Sequence, residues 1–116
     1  MKVLLVDDDR ALRLTLGALL EDEGLLVTEA GSLEEARARL KESQFRLVVL
    51  DHRLPDGEGP ELLAELRALS SRPRVAMLTG LDDSSPDVDM RFVKASAPGE
   101  LVRRLVSLCS GVPDGG

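Results

Sequence analysis

Polar side chains that could bind a cation and a phosphoryl group stand at the ends of apolar runs in this sequence. The acidic triplet Asp7–Asp9 follows the first run, Asp51 ends the third, Thr79 ends the fourth and Lys94 ends the fifth. In an open parallel sheet, ligands bind outside the carboxyl ends of the strands, near the point where the strand order reverses. Carboxylates, a hydroxyl and an ammonium gathered at such an edge would form a site for a divalent cation and a phosphoryl group.

Short apolar strands alternating with amphipathic helices must position these residues. The predicted strands lie in residues 3–6, 25–30, 45–50, 75–78 and 91–93. Among the predicted helices, the first ends at Gly24, the second opens at Ser32 with a capping box, and the last opens at Pro98. The leucines that line one face of the third helix are Leu62, Leu63, Leu66 and Leu69. Strands this apolar are buried on both faces, which predicts a parallel sheet with helices on either side.

Length and composition predict one domain in residues 1–110, followed at 111–116 by a flexible tail or the start of a linker. The net charge of −6 and the presence of only two aromatic residues argue against direct binding of nucleic acid. A single cysteine, Cys109, excludes a disulfide framework and fits a reducing cytoplasm. No apolar run approaches the roughly 20 residues that cross a bilayer, and we expect no signal peptide before the first strand, because Met1 and Lys2 lead directly into it. We therefore expect a cytoplasmic protein without a membrane partner.

Four motifs occur in the order and approximate spacing of one known family. They are VLLVDDD at 3–9, LVVLDHRLPDG at 47–57, MLTG at 77–80 and FVK at 92–94. Each motif alone is weak evidence, but all four lie at the ends of predicted strands. On these motifs the chain resembles the CheY-like receiver domain of two-component response regulators. The resemblance implies a flavodoxin-like α/β fold, which is a doubly wound five-stranded parallel sheet of order 2-1-3-4-5 with helices on both faces.

The resemblance also implies a role for each residue of the site. Asp51 would be the phosphoacceptor. Asp7 and Asp8 would form the acidic pair that holds Mg²⁺, or Mn²⁺, together with Asp51 and the backbone carbonyl of Arg53. Thr79 would donate a hydrogen bond to a phosphoryl oxygen, and Lys94 would pair with the carboxylate or the phosphate of Asp51.

The function implied is that of a phosphorylation switch. The phosphoryl group would come from a sensor histidine kinase or a phosphotransfer protein. Phosphorylation would then change how the domain binds a downstream effector protein or a C-terminal output domain. Such a domain phosphorylates and dephosphorylates itself, so we expect a signalling domain and not an enzyme in the usual sense.

Three positions depart from the family pattern. Ala95 follows Lys94 where the family usually has proline, and Arg91 replaces the usual aromatic residue three places before the lysine. Phe92 comes one place later and should therefore face the opposite side of the strand. Thr79 and Lys94 are 15 positions apart, about two helical turns fewer than is usual. The fourth helix should therefore be missing or reduced, which puts the usual output face in doubt.

Other functions remain compatible with parts of the sequence. A pseudo-receiver would keep the fold and bind a partner without phosphorylation, which the short fourth segment and Arg91 favour. A metal-dependent phosphatase could use Asp7 and Asp9, which flank one residue, although the hydrophobic–hydroxyl continuation and a cap insertion are absent. A nucleotide-binding Rossmann domain is disfavoured because the first strand leads into acids and not into a glycine-rich turn.

Overall fold

The computed structural model describes residues 2–70, 72–79, 90–93 and 97–109. Seven strands and four helices lie in these ranges. The strands are β1 (Lys2–Val6), β2 (Leu26–Ala30), β3 (Leu47–Asp51), β4 (Arg53–Leu54), β5 (Gly57–Glu58), β6 (Arg74–Thr79) and β7 (Met90–Val93). The helices are α1 (Arg10–Asp22), α2 (Leu33–Glu42), α3 (Pro60–Arg67) and α4 (Pro98–Cys109).

Five of the strands form one parallel sheet in the order β2-β1-β3-β6-β7. With the two-residue strands β4 and β5 set aside, this is the predicted order 2-1-3-4-5, so the flavodoxin-like fold is confirmed. The segment in which we expected a missing or reduced fourth helix lies outside the described residues. The peptide between Lys94 and Ala95 and the tail at 111–116 lie outside them as well.

Two apolar layers cover the faces of the sheet. Alternate residues of β1 supply both layers, because successive side chains of a strand point to opposite faces. Val3 and Leu5 pack in a cluster with residues of α1 and α4. Leu4 and Val6 pack in a second cluster with residues of α2 and α3. Every residue of β3 is buried, as expected for a central strand covered on both sides.

Local signals in the sequence set several helix ends. Asp9 is the N-cap of α1, and its side chain accepts a hydrogen bond from Leu12 N at 3.1 Å. Ser32 Oγ accepts a hydrogen bond from Glu35 N at 3.1 Å, as the capping box predicts. The Glu35 carboxylate accepts one from Gly31 N and not from Ser32 N. Gly24 follows α1 with φ of +88°, a backbone conformation that favours glycine.

The third helix is shorter than its leucine stripe predicts. It ends at Arg67, so Leu69 lies beyond the helix and is exposed. Serines at 70 and 71 and Pro73 follow, and proline commonly lies a few residues past a helix end because it cannot continue the helix. None of the described helices is both long and apolar enough to span a membrane.

Candidate functional site: an acidic cluster at the strand ends

Three aspartates meet at the carboxyl edge of the sheet. Asp7 and Asp8 follow β1 and Asp51 ends β3, and these strands are neighbours with Val6 opposite Leu50. One carboxylate oxygen from each aspartate can be chosen so that all three atoms lie within 4.8 Å of one another. Asp7 and Asp51 are buried, whereas Asp8 is exposed. The structure thus brings together the three carboxylates that we predicted as metal ligands.

This donor set fits a hard divalent cation. Mg²⁺ takes oxygen ligands, keeps several waters and is usually held by one or two carboxylates. Three carboxylates this close repel one another when ionised, and a cation between them offsets that repulsion. Asp8 faces solvent, so an ion bound here could retain water molecules on its open side.

Backbone contacts around helix α1 hold Asp7 in place. Its Oδ1 accepts a hydrogen bond from Asp9 N at 2.8 Å, and its own N donates to Ala30 O at 3.0 Å. Asp9 therefore contributes to the site through its backbone, while its side chain caps the helix.

Arg13 supports the same strand end and was not singled out in the sequence. Its Nη1 donates to the backbone carbonyl of Asp7 at 2.5 Å, and its Nε pairs with Glu29 of β2 at 3.0 Å. A Cβ at position 31 would lie 3.2 Å from Arg13 Nη1, so Gly31 leaves space for the guanidinium. Arg13 thus joins α1 to the ends of β1 and β2. A sequence shows such a contact poorly because its partners lie 6 and 16 positions away.

Gly59 contacts the backbone of Asp51 directly. A Cβ at position 59 would lie 2.2 Å from the carbonyl oxygen of Asp51. Gly59 N also donates a hydrogen bond to His52 O at 2.8 Å, and His52 N donates to Leu78 O at 2.9 Å. The backbone at Gly59 has an ordinary φ of −49°, so glycine is needed here for space and not for conformation. The sequence shows a turn-rich segment here but not this contact.

The hairpin formed by β4 and β5, which we did not predict, joins the Asp51 segment to helix α2. Asp56 Oδ1 accepts a hydrogen bond from Leu33 N at 2.9 Å, and Asp56 Oδ2 accepts one from Glu34 N at 3.0 Å. These two backbone N–H groups hold the pKa of the Asp56 carboxyl below its ordinary value. Asp56 therefore supplements Ser32 by binding amides of the first turn of α2 that local capping leaves open.

The other predicted site residues lie on or after neighbouring strands. Thr79 ends β6 and is buried, and it lies one step beyond Leu78, the partner of Asp51 in the sheet. Arg53 N lies 3.4 Å from Asp51 Oδ1, which places this backbone segment beside the carboxylate. Lys94 lies outside the described residues.

Strand β7 has the predicted alternation at its aromatic residue. Arg91 is exposed and Phe92 is buried. Phe92 packs in the cluster between α1 and α4, and Arg104 Cζ lies 5.0 Å from its ring centroid. The aromatic ring is therefore part of the core, and an arginine occupies the outward position.

Comparison with known proteins assigns the family. The sequence model of the response regulator receiver domain matches residues 3–104. The DNA-binding transcriptional activator DevR/DosR of Mycobacterium tuberculosis is 38% identical, over 100% of this chain and 54% of its own. The chain spans between 22% and 54% of the length of the curated transcriptional regulators it matches.

Solved structures agree with this assignment. A CheY-like receiver domain protein from Methanospirillum hungatei JF-1 matches with a TM-score of 0.86 and 28% identity, over 99% of this chain and 98% of that one. Response regulator TrrA from Thermotoga maritima, in complex with Mg²⁺-BeF, matches with a TM-score of 0.80 and 28% identity. This match covers 92% of the present chain and 97% of TrrA. The present chain therefore belongs to the response regulator receiver domain family of two-component systems.

Proposed function

We propose that this domain accepts a phosphoryl group on Asp51 from a phosphohistidine of a sensor kinase or phosphotransfer protein. The observation that carries the proposal is the meeting of Asp7, Asp8 and Asp51 at one strand-end site. Mg²⁺, or Mn²⁺, would be held there by these carboxylates and the backbone carbonyl of Arg53. The similar protein TrrA is known in complex with Mg²⁺-BeF, and this supports Mg²⁺ as the ion of the proposed site.

The chemistry requires an anionic oxygen in line with the phosphorus. An oxygen of Asp51 forms a bond to phosphorus while the bond from phosphorus to the donor imidazole nitrogen breaks, and that nitrogen keeps the electron pair. When bound, the cation supplies positive charge to the phosphoryl oxygens. The Thr79 hydroxyl donates a hydrogen bond to one of these oxygens, and the Lys94 ammonium neutralises another. Asp51 and Thr79 are both buried, which would limit the directions from which bulk water could reach the acyl phosphate.

The product of this reaction is a signal and not a released metabolite. A phosphate adds about −1.5 to −2 charges at neutral pH, so the segments around Asp51 would respond to a large local change in charge. We infer that an effector protein, or an output domain beyond this sequence, reads that change in the cytoplasm. The DNA-binding relative is consistent with an output on DNA through another domain, with the receiver itself not contacting nucleic acid.

One observation favours phosphorylation-independent binding as a second candidate function. Arg91 is exposed at a strand position where the family usually carries an aromatic residue. A partner could bind this surface whether or not Asp51 is phosphorylated, as in the pseudo-receiver interpretation.

Labelling with acetyl phosphate separates the two candidates. We expect Mg²⁺-dependent addition of one phosphoryl group, detected by intact-protein mass spectrometry and lost on treatment with hydroxylamine. Asp51→Asn should abolish labelling, whereas Asp9→Ala should retain it, because Asp9 contributes its side chain to the cap of α1. Absence of labelling in a folded wild-type protein, or full labelling of Asp51→Asn, would refute the proposal.

A further inference from the structure

The peptide bond between Asp7 and Asp8 joins two of the proposed cation ligands. It lies after β1 and before α1, so regular secondary structure does not fix its orientation. A peptide unit is planar, and rotation of this plane changes ψ of Asp7 and φ of Asp8 together. These two dihedral angles decide how the two carboxylates leave the backbone. A group that holds this peptide therefore also sets the spacing of the two carboxylates.

Arg13 is placed to hold this peptide. It lies about one turn into α1, where its N donates to Asp9 O at 3.0 Å. Side chains on a helix lean toward its N-terminus, which brings the guanidinium back to the end of β1. There Nη1 donates to Asp7 O at 2.5 Å, and hydrogen bonds from a charged donor are stronger than neutral ones. Arg13 thus acts on the backbone of a proposed ligand and leaves its carboxylate available to a cation.

Glu29 fixes the direction of this guanidinium. Its Oε1 accepts a hydrogen bond from Arg13 Nε at 3.0 Å, and because the guanidinium is planar, two engaged N–H groups define its orientation. The side chain of Arg13 is only 17% exposed, so salt and water screen the pair less than they would at the surface. Gly31 borders the same nitrogen, since a Cβ there would lie 3.2 Å from Nη1. Strand β2 therefore determines where the arginine of α1 can contact the end of β1.

We propose that Arg13 is a positioning residue, which sets the affinity of the acidic cluster for Mg²⁺ by fixing the Asp7–Asp8 peptide. This inference rests on the proposed function, since it takes the cluster as the cation site. Removal of a group that orients metal ligands commonly lowers metal affinity about 10–100-fold. The sign of the effect is diagnostic. The positive charge of a guanidinium repels a cation, so its charge alone would make Mg²⁺ bind more tightly after its removal, whereas loss of positioning makes Mg²⁺ bind more weakly.

Calorimetric titration of the full chain with Mg²⁺ measures this affinity, at a temperature where circular dichroism shows each variant folded. Arg13→Gln should raise the dissociation constant about tenfold. Arg10→Gln is the matched control, because it removes the same charge from the exposed first residue of α1, and it should change the constant by no more than about twofold. The initial rate of acetyl phosphate labelling should show the same shift in its Mg²⁺ dependence, and excess Mg²⁺ should restore most of the wild-type rate.

Two substitutions of Glu29 test the same role without changing Arg13. Both remove one negative charge, but Glu29→Gln keeps an oxygen that can accept from Arg13 Nε and Glu29→Ala does not. The dissociation constant of Glu29→Ala should therefore be about threefold above that of Glu29→Gln. If Arg13→Gln does not fold, this comparison decides.

Three results would contradict the proposal. Unchanged or tighter Mg²⁺ binding by Arg13→Gln, or equal constants for the two Glu29 variants, would overturn the role of Arg13 while leaving the proposed function intact. A folded wild type that binds no Mg²⁺ would instead overturn the proposed function, and the role of Arg13 with it.

Discussion

Gly59 determines where the backbone of Asp51 can lie, because it has no side chain. The carbonyl oxygen of Asp51 occupies the space that a Cβ at position 59 would need, at 2.2 Å. The neighbouring hydrogen bond from Gly59 N to His52 O closes the turn after Asp51. The orientation of the proposed phosphoacceptor is therefore set by a residue that has no functional group of its own.

Gly59→Ala should destabilise the domain and impair phosphorylation together. An added methyl group in a filled site typically costs about 1–3 kcal/mol, and the backbone shift would move Asp51 relative to Asp7 and Asp8. Gly99→Ala is the control, because a Cβ at position 99 has no atom within 4 Å. That change should be neutral or stabilise by about 0.4–1 kcal/mol. Urea unfolding and acetyl phosphate labelling measure both effects, and equal behaviour of the two variants would contradict this account.

At the scale of elements, the first turn of α2 depends on two different parts of the chain. Ser32 caps it locally, while Asp56 reaches it from the hairpin that follows Asp51. Negative charge near a helix N-terminus is also favoured by the helix dipole. A displacement of the hairpin on phosphorylation would therefore disturb the hydrogen bonds between Asp56 and the first turn of α2.

The two caps should differ in their dependence on pH. The pKa of Asp56 is lowered in the folded state, so its contribution to stability is present above the unfolded pKa, about 3.9. That contribution is lost as the pH falls through the folded pKa. The cost of Asp56→Ala should therefore be full at neutral pH and shrink in acid. Ser32→Ala should cost about 1 kcal/mol at every pH, because serine does not titrate. Unfolding free energies between pH 3 and 7 test the contrast, and parallel curves would count against it.

Elements with strong local signals were predictable from the sequence, and contacts between distant parts of the chain were not. Local patterns predicted two of these elements. The apolar run that ends at Asp51 predicted β3, and the capping residue Ser32 predicted the start of α2. Each strand of the hairpin, β4 and β5, has only two residues, so its sequence is too short to show a periodicity. The contact of Gly59 with Asp51 and the Asp56 cap arise only when the parallel sheet brings these segments together. The acidic cluster was predictable because its aspartates follow predicted strands, and the carboxyl ends of parallel strands lie at the same edge of the sheet.

For the whole molecule, the acidic cluster should make stability depend on divalent cations. Three carboxylates within 4.8 Å repel one another, by about 1 kcal/mol per pair at close range in a water-like medium. Asp51 takes part in two of the three pairs, so Asp51→Asn should raise the unfolding free energy in chelator by about 2 kcal/mol. Mg²⁺ at ten times its dissociation constant should stabilise the wild type by about 1.4 kcal/mol and the variant by less.

Thermal unfolding with and without Mg²⁺ measures this effect. Asp22→Asn, at the exposed end of α1, removes the same charge away from the cluster and should respond to Mg²⁺ as the wild type does. Equal stabilisation of Asp51→Asn and wild type by the ion would show that the cluster is not the binding site.

The order of residues along the chain fixes the order in which the parts of the proposed site are synthesised. Strands β1, β2 and β3 are neighbours in the sheet, and all three are complete once residue 51 has been synthesised. Asp7, Asp8 and Asp51 therefore leave the ribosome before Thr79 and Lys94, which belong to the later part of the chain. If β1 pairs with β3 during synthesis, the three carboxylates meet before the Lys94 ammonium is present to offset their charge. On the proposed function, we therefore expect Mg²⁺ to offset the charge of the cluster during folding as well as during phosphorylation.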